Sequence, residues 1–522
     1  MPRRVPGPVV LLILDGVASH DPHPGNAVTR ANPEFLSSIW ESYPHGLLYA
    51  AAEYVGLPKY VKGNSEVGHT NIGAGKIVFQ YLPRINQAIE KRLYHSNQAI
   101  SQVIDTVKAR GTAFHLLFCA SDGDVHSTIN HLKPTLEMCK ERGLTQNVFL
   151  HAFTDGRDSS QRSAEQYFTQ IEEWLAQYGV GKIATIIGRQ YAMDRNKTWA
   201  RTKKAYDLLT GHVGTLKPGW REVIADSYAN NISDEFVEPY VIQDPDVAAQ
   251  GYIKSNDGVF FLNIRPDRAV QLTEALLMPA FIGFSRDRIL ENLSMVTMVR
   301  YNKEFPVSVA FPPADVTMPL GRVVSMSGMR QLRLSESQKF PHVTYFVNGG
   351  NNIVYPGELR INIPSPDVPT FDVVPEMSIY KVLDTFLHEL SLNIFDLFII
   401  NFANGDMVGH TGVLDAGVMA VKHVDYCASV IVKNVLAKNG AVFVTADHGN
   451  VDEMINLEDE SQVSTEHSIF PVPFVAIYKN ARPYEFPIGQ LSDIAPTVLD
   501  FLGLEPPPDM TGRVLIDKGA TF

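Results

Sequence analysis

Residues 9–16 read VVLLILDG: six apolar residues in succession, then an acid and a glycine. An apolar run this short, with no polar alternation, is what a strand covered on both faces requires, as in a parallel sheet. Leu397–Phe402 (LFIINF) and Ala441–Thr445 (AVFVT) repeat the pattern. Longer amphipathic stretches, 377–390 and 413–437, alternate with these runs, so strands alternate with helices and the chain reads as α/β with a doubly wound sheet.

Working outward, four further runs at 113–118, 147–153, 183–187 and 259–263 form a second series of the same kind. The stretch 305–316, with Pro306, Pro312 and Pro313, reads as a linker, and 75–83 as its counterpart. The expected organisation is therefore discontinuous: one α/β domain from residues 1–80 and 315–522, with a second α/β domain, 81–314, inserted into it.

A chain of 522 residues excludes a single small module. With 45 Lys plus Arg against 57 Asp plus Glu, the net charge of −12 opposes general binding to nucleic acid or to an anionic membrane. Cys119, Cys139 and Cys427 are far apart and form no CxxC pair, which excludes a disulfide framework and a thiolate zinc site and points to a reducing compartment. Arg3 and Arg4 precede the first apolar run as in a signal peptide, but six apolar residues ending at Asp15 are too few for one. No run approaches the roughly 18 apolar residues of a membrane span. A cytoplasmic protein without nucleic-acid or membrane partners, and a monomer, is expected.

Ligands of open α/β sheets collect beyond the carboxyl ends of the strands. Asp15, Asp406 and Asp447 each stand there, although an Asp just past a strand is also a common helix N-cap. Asp406 is followed four residues on by His410, and Asp447 is adjacent to His448 in TADHGN. Carboxylate with imidazole suits Mn²⁺ or Zn²⁺, whereas an all-oxygen set would suit Mg²⁺ or Ca²⁺. His467, in STEHSIFPVPF, completes a three-ligand set with Asp406 and His410. So many donors exceed what one ion takes while leaving room for substrate, so two ions are expected, and with them phosphoryl transfer or hydrolysis. A nucleophile is then needed. KGNSEVGHTNIGAGK offers Ser65 among glycines that let backbone approach a ligand, with a helix N-cap as the competing role. The GAGK ending is not a P-loop, because Thr70 stands where its first Gly belongs and Ile77 where Ser/Thr belongs.

The middle region adds cations beside small polar residues: Arg157 in TDGRDS, Arg189 and Arg195 in GRQYAMDR, and Arg265 and Arg268 in NIRPDR. Guanidinium forks match phosphate and carboxylate oxygens two at a time, so five of them at strand ends in an acidic chain imply a local anion pocket. His126 in SDGDVHS faces the same edge by the same rule, and Asp158 beside Arg157 is a candidate general acid/base.

Taken in order, LDG, GNSEVGHTNIGAG, TDGRD, YAMDR, RPDR, KFPHVT, DMVGHTG and TADHGN resemble the motifs of the cofactor-independent phosphoglycerate mutases, along nearly the whole chain. A general alkaline-phosphatase-like metalloenzyme would share the metal-binding runs alone. The resemblance implies an alkaline phosphatase-like domain with two divalent ions, usually Mn²⁺ with Co²⁺, Zn²⁺ or Mg²⁺ as alternatives, and an inserted transferase domain that binds phosphoglycerate. It implies one ion on Asp406, His410 and His467 and the other on Asp15, Ser65, Asp447 and His448. It further implies Ser65 as the nucleophile that becomes phosphoserine, and His126, Arg157, Asp158, Arg189, Arg195, Arg265 and Arg268 as substrate ligands. Lys339 would stand at the phosphoryl group and Asp158 would move protons. The implied reaction, in glycolysis and gluconeogenesis, interconverts 3-phosphoglycerate and 2-phosphoglycerate without 2,3-bisphosphoglycerate. Asp124, Gln190 and Gly405 depart from the usual Gly, aromatic and Pro, and none of them is an implied ligand. A phosphomonoesterase or phosphodiesterase that lets water resolve phosphoserine is the alternative enzyme, and a silent binding protein the alternative to an enzyme.

Overall fold

The computed structural model describes residues 5–457 and 459–516. It divides into two compact units, residues 1–83 with 314–522 and residues 84–313.

The first unit is built on a sheet ordered Glu358–Ile363, Gln331–Glu336, Leu397–Phe402, Val9–Leu14, Ala441–Thr445, Val472–Tyr478, His45–Tyr49, Gly489–Gln490. Val9–Leu14 pairs in parallel with Leu397–Phe402 on one side and with Ala441–Thr445 on the other. All six of its side chains are buried, which explains why it carries no polar alternation. Each such burial stabilises the fold by about 1.5–3 kcal/mol. Ile379–Ser391 and Leu414–Ala437 are the expected helices. The sheet is not wholly parallel, because Val472–Tyr478 runs antiparallel to both of its neighbours.

The second unit repeats the architecture with the order Ser308–Phe311, Ser294–Val299, Gly258–Phe261, Phe114–Ala120, Val148–Thr154, Lys182–Gly188, Tyr240–Ile242, Thr215–Lys217. Tyr240–Ile242 is antiparallel to Lys182–Gly188, and the strands from Phe114 to Gly188 are parallel. Both expected linkers hold regular structure. Ser308–Phe311 pairs with Ser294–Val299 at the sheet edge, where the flanking Pro306 and Pro312 interrupt no central ladder. The helix Tyr81–Glu90 begins inside the other, its Pro83 falling in the first turn where no intrahelical donor is lost. Among the described residues no helix is long and apolar enough to cross a membrane.

Candidate functional site

The three central strands of the first unit deliver Asp15, Asp406 and Asp447 to one edge of the sheet, all buried. None is a helix N-cap: Asp406 lies inside the helix Asn404–Gly409, capped by Ala403, and Asp15 and Asp447 precede no helix directly. Gly16 turns the chain with a positive φ of 77°, and the Asp406 N–H donates to the Asp15 carbonyl at 2.9 Å, which locks two of the acids together.

Ser65 opens the helix Ser65–Ala74, and the cap is its neighbour Asn64, whose side chain accepts from the Val67 N–H. Its hydroxyl is thereby left for the site. Oγ lies 2.6 Å from Lys339 Nζ and 2.8 Å from His448 Nε2. The glycines around it let the helix pack closely: a Cβ on Gly68 would stand 2.7 Å from the Asp447 carbonyl oxygen. Lys339, buried in the turn after Gln331–Glu336, also donates to Asp15 Oδ1 at 2.8 Å and Asp406 Oδ2 at 2.6 Å. Burial works against its charge, but Asp15 and Asp406 outweigh burial and hold the ammonium above its ordinary range. Burial and the adjacent Asp447 push the Asp15 carboxyl up. At Asp406 burial has the same tendency, yet Lys339 above all holds that carboxyl well below the carboxylate norm.

The histidines reveal what the acids are arranged for. His410 Nδ1 faces the Thr465 carbonyl at 2.7 Å and His467 Nδ1 the Gly63 carbonyl at 2.8 Å. A carbonyl only accepts, so both Nδ1 atoms carry a proton, which leaves each Nε2 as the atom that can turn a lone pair to a cation. Those Nε2 atoms lie 3.1 Å from one another and 3.2 and 3.0 Å from Asp406 Oδ1. Two lone pairs and a carboxylate oxygen at this spacing repel unless a cation stands among them, and 3.0–3.2 Å separates donors bound at right angles about 2.1 Å from one ion. The second set is as poorly satisfied. Asp447 is fully buried, and among the described residues the nearest donor to its carboxylate is His69 Nδ1, 3.1 Å from Oδ2 but also 2.9 Å from the Ser65 carbonyl. His448 Nε2 is 3.5 Å from both Asp15 Oδ1 and Asp447 Oδ2. It is also 3.9 Å from Asp406 Oδ1, and its ring stacks on His467 with centroids 4.0 Å apart, so it stands within reach of both donor sets. This donor chemistry fits two divalent cations.

In the second unit, the ends of four parallel strands bring His126, Arg157, Asp158, Arg189, Arg265 and Arg268 together with Arg195. His126 Nε2 is 3.9 Å from Asp158 Oδ2 and its Nδ1 is 3.7 Å from Asp267 Oδ1. Burial, with Arg189 beside it, lowers the His126 imidazole to about 4. Arg195 and Arg265 share Asp267 at 2.7 and 3.2 Å, and Arg157 reaches Glu235 at 3.4 Å. Arg268 meets a carbonyl instead, that of Met193 at 3.1 Å. Burial and the charges of Arg189, Arg195 and Arg157 depress its guanidinium, the repulsion expected where cations are gathered to receive an anion. Asp124 takes the left-handed conformation, φ 57°, which glycine adopts at no steric cost.

Several contributors escape the strand-end rule. Asn401, inside Leu397–Phe402, donates to Asp15 Oδ2 at 2.7 Å and contacts His69 Nε2 at 3.1 Å. His69 Nδ1 lies 2.9 Å from the Ser65 carbonyl, and Asn450 donates to Asp406 Oδ1 at 3.2 Å. A polar residue in an apolar strand and a histidine four residues after the candidate nucleophile on one helix were the available signals.

Residues 85–303 match the family model described as "BPG-independent PGAM N-terminus (iPGM_N)". The 2,3-bisphosphoglycerate-independent phosphoglycerate mutase of Clostridium novyi (strain NT) is 45% identical over 510 residues, 97% of this chain and 99% of that protein. The structure of Leishmania mexicana phosphoglycerate mutase at low cobalt concentration matches 99% of this chain and 98% of its own at a TM-score of 0.59 and 28% identity. The chain belongs to the 2,3-bisphosphoglycerate-independent phosphoglycerate mutase family.

Proposed function

We propose that the protein interconverts 3-phosphoglycerate and 2-phosphoglycerate through phosphoserine at Ser65. The first unit is the metal-binding phosphatase-like domain and the second the substrate-binding transferase domain. The observation that carries this reading is the position of Ser65 Oγ, 2.6 Å from a buried ammonium and 2.8 Å from His448 Nε2, a nitrogen that belongs to two groups of side chains able to hold a metal ion.

Asp406, His410 and His467 would hold one ion and Asp15, Ser65, Asp447 and His448 the other, with Mn²⁺ the favoured ion and Co²⁺, Zn²⁺ or Mg²⁺ the alternatives. Bound there, the ions would lower the pKa of the Ser65 hydroxyl so that its proton is lost to solvent before attack, and would offset charge on the phosphoryl oxygens. Ser65 Oγ attacks phosphorus and the bond to the glycerate C3 oxygen breaks. Lys339 donates to the phosphoryl oxygens, whose charge is greatest in the transition state. Asp158 delivers a proton to the departing C3 oxygen. Glycerate turns while Arg157, Arg189, Arg195, Arg265, Arg268 and His126 keep its carboxylate, and Asp158 then takes the C2 hydroxyl proton as that oxygen attacks phosphorus, the Oγ–P bond breaks and Ser65 leaves as the alkoxide. Serine and arginine cluster belong to different units.

The test is ³¹P NMR of 3-phosphoglycerate with Mn²⁺-loaded protein and no 2,3-bisphosphoglycerate. A 2-phosphoglycerate resonance without inorganic phosphate is expected. Inorganic phosphate as the product would establish the hydrolase instead.

A further inference from the structure

Asp158 is not the only acid in the TDGRD turn. Three residues earlier, Asp155 is the first residue after Val148–Thr154 and is 3% exposed, too deep to reach a substrate. Its Oδ1 accepts the backbone N–H of Arg157 at 3.3 Å and of Asp158 at 3.1 Å. The same oxygen receives Arg189 NH1, and that one nitrogen also reaches Asp158 Oδ2 at 2.5 Å. Burial pushes the Asp155 carboxyl up, but hydrogen bonds from Ser121 and Arg189 outweigh burial and keep it charged.

We propose that Asp155 is a positioning residue for the mutase reaction: it fixes the turn that presents Arg157 and Asp158, and it shares Arg189 so that this guanidinium does not claim Asp158. The inference rests on the reading of Asp158 as the acid/base given above. Arg189 is a fully charged neighbour of the proton-transferring carboxylate. Left with Asp158 as its single counterion, it would hold that carboxylate in a closed ion pair, and the lone pair required by the glycerate hydroxyl would be occupied. A second, deeper carboxylate on the same NH1 divides the interaction. The ion pair of Asp158 with Arg189 and its 3.9 Å approach to His126 both run through Oδ2, which leaves Oδ1 for the hydroxyl. Both ion pairs of Arg189 run through NH1, which leaves the rest of its fork for an anion.

The variant Asp155→Asn separates the two duties, because an amide oxygen still accepts from the turn while the charge that shares Arg189 is gone. In the metal-loaded enzyme kcat should fall at least fivefold, with KM for 3-phosphoglycerate changed less than threefold and the melting temperature nearly kept. Asp155→Ser, whose hydroxyl also accepts from the turn, should show the same split and replaces the Asn variant should that one not fold. In an Asp158→Asn background, Asp155→Asn should lower the residual kcat less than twofold, since nothing remains to be freed. A kcat within fivefold of the parent, a loss carried by KM, or an undiminished loss in the Asp158→Asn background would each overturn the proposal. Absence of mutase activity in the unaltered protein would instead overturn the function, whatever Asp155 does.

Discussion

Replacing Lys339 by methionine removes a positive charge while nearly preserving volume, and the structure sets the scale of the loss. Nζ stands 2.8 Å from Asp15 Oδ1 and 2.6 Å from Asp406 Oδ2, with both carboxylates buried. At an effective dielectric of about 20, each such pair attracts by roughly 6 kcal/mol. The cost of burying the ammonium cancels much of this, and breaking a buried pair at one end destabilises by about 3–5 kcal/mol in net. Lys339→Met should therefore lose about 3–5 kcal/mol of unfolding free energy in chelator. With saturating Mn²⁺ the loss should shrink to less than half, because cations then answer the carboxylates that Lys339 answered alone. Urea denaturation followed by circular dichroism, with and without Mn²⁺, reads both numbers. Equal losses under the two conditions, or a metal-free loss under about 1 kcal/mol, would refute the assignment of Lys339 as the counterion of an acid cluster built for metal.

Ser65→Ala should abolish phosphoenzyme and mutase turnover while costing about 1–3 kcal/mol of stability for the lost Lys339 and His448 contacts, read by intact-protein mass spectrometry and denaturation. Stability should also fall with pH through His131, whose buried ring touches Asn86 Oδ1 at 3.0 Å and whose imidazole burial pushes down to about 3. Below about pH 6.5 the unfolded chain binds a proton that the folded one refuses, so folding loses about 1.4 kcal/mol per pH unit as pH drops from there. The penalty is absent above that window. His131→Gln should recover about 2 kcal/mol of the loss between pH 7 and 5, and an unchanged pH dependence would contradict this.

Much of the frame is legible because burial leaves a mark on composition. Val9–Leu14 is apolar throughout since helices cover both its faces, and the acids after it and its neighbours follow from where parallel strands end. Strand direction leaves no such mark: VPFVAIY at Val472–Tyr478 is as apolar as the parallel strands yet runs opposite to them. Ser308–Phe311 is concealed by its prolines, which an edge strand tolerates. At the site, Asp15, Asp406, Asp447 and Ser65 stand out by position and the arginines by their clustering at strand ends, whereas the role of Lys339 came from family motifs. Asn401 contacts Asp15 and His69 from more than 300 residues away in the chain and Asn450 contacts Asp406 from 44 away, partners that the strand-end rule does not pick out.

The central claim is that one phosphoryl group leaves and returns to the same glycerate while that glycerate stays bound. It is tested most directly by turning over unlabelled 3-phosphoglycerate in the presence of excess ¹⁴C-glycerate. The account predicts 2-phosphoglycerate free of label and no inorganic phosphate. Label in the product, or phosphate in the medium at the rate of turnover, would contradict it.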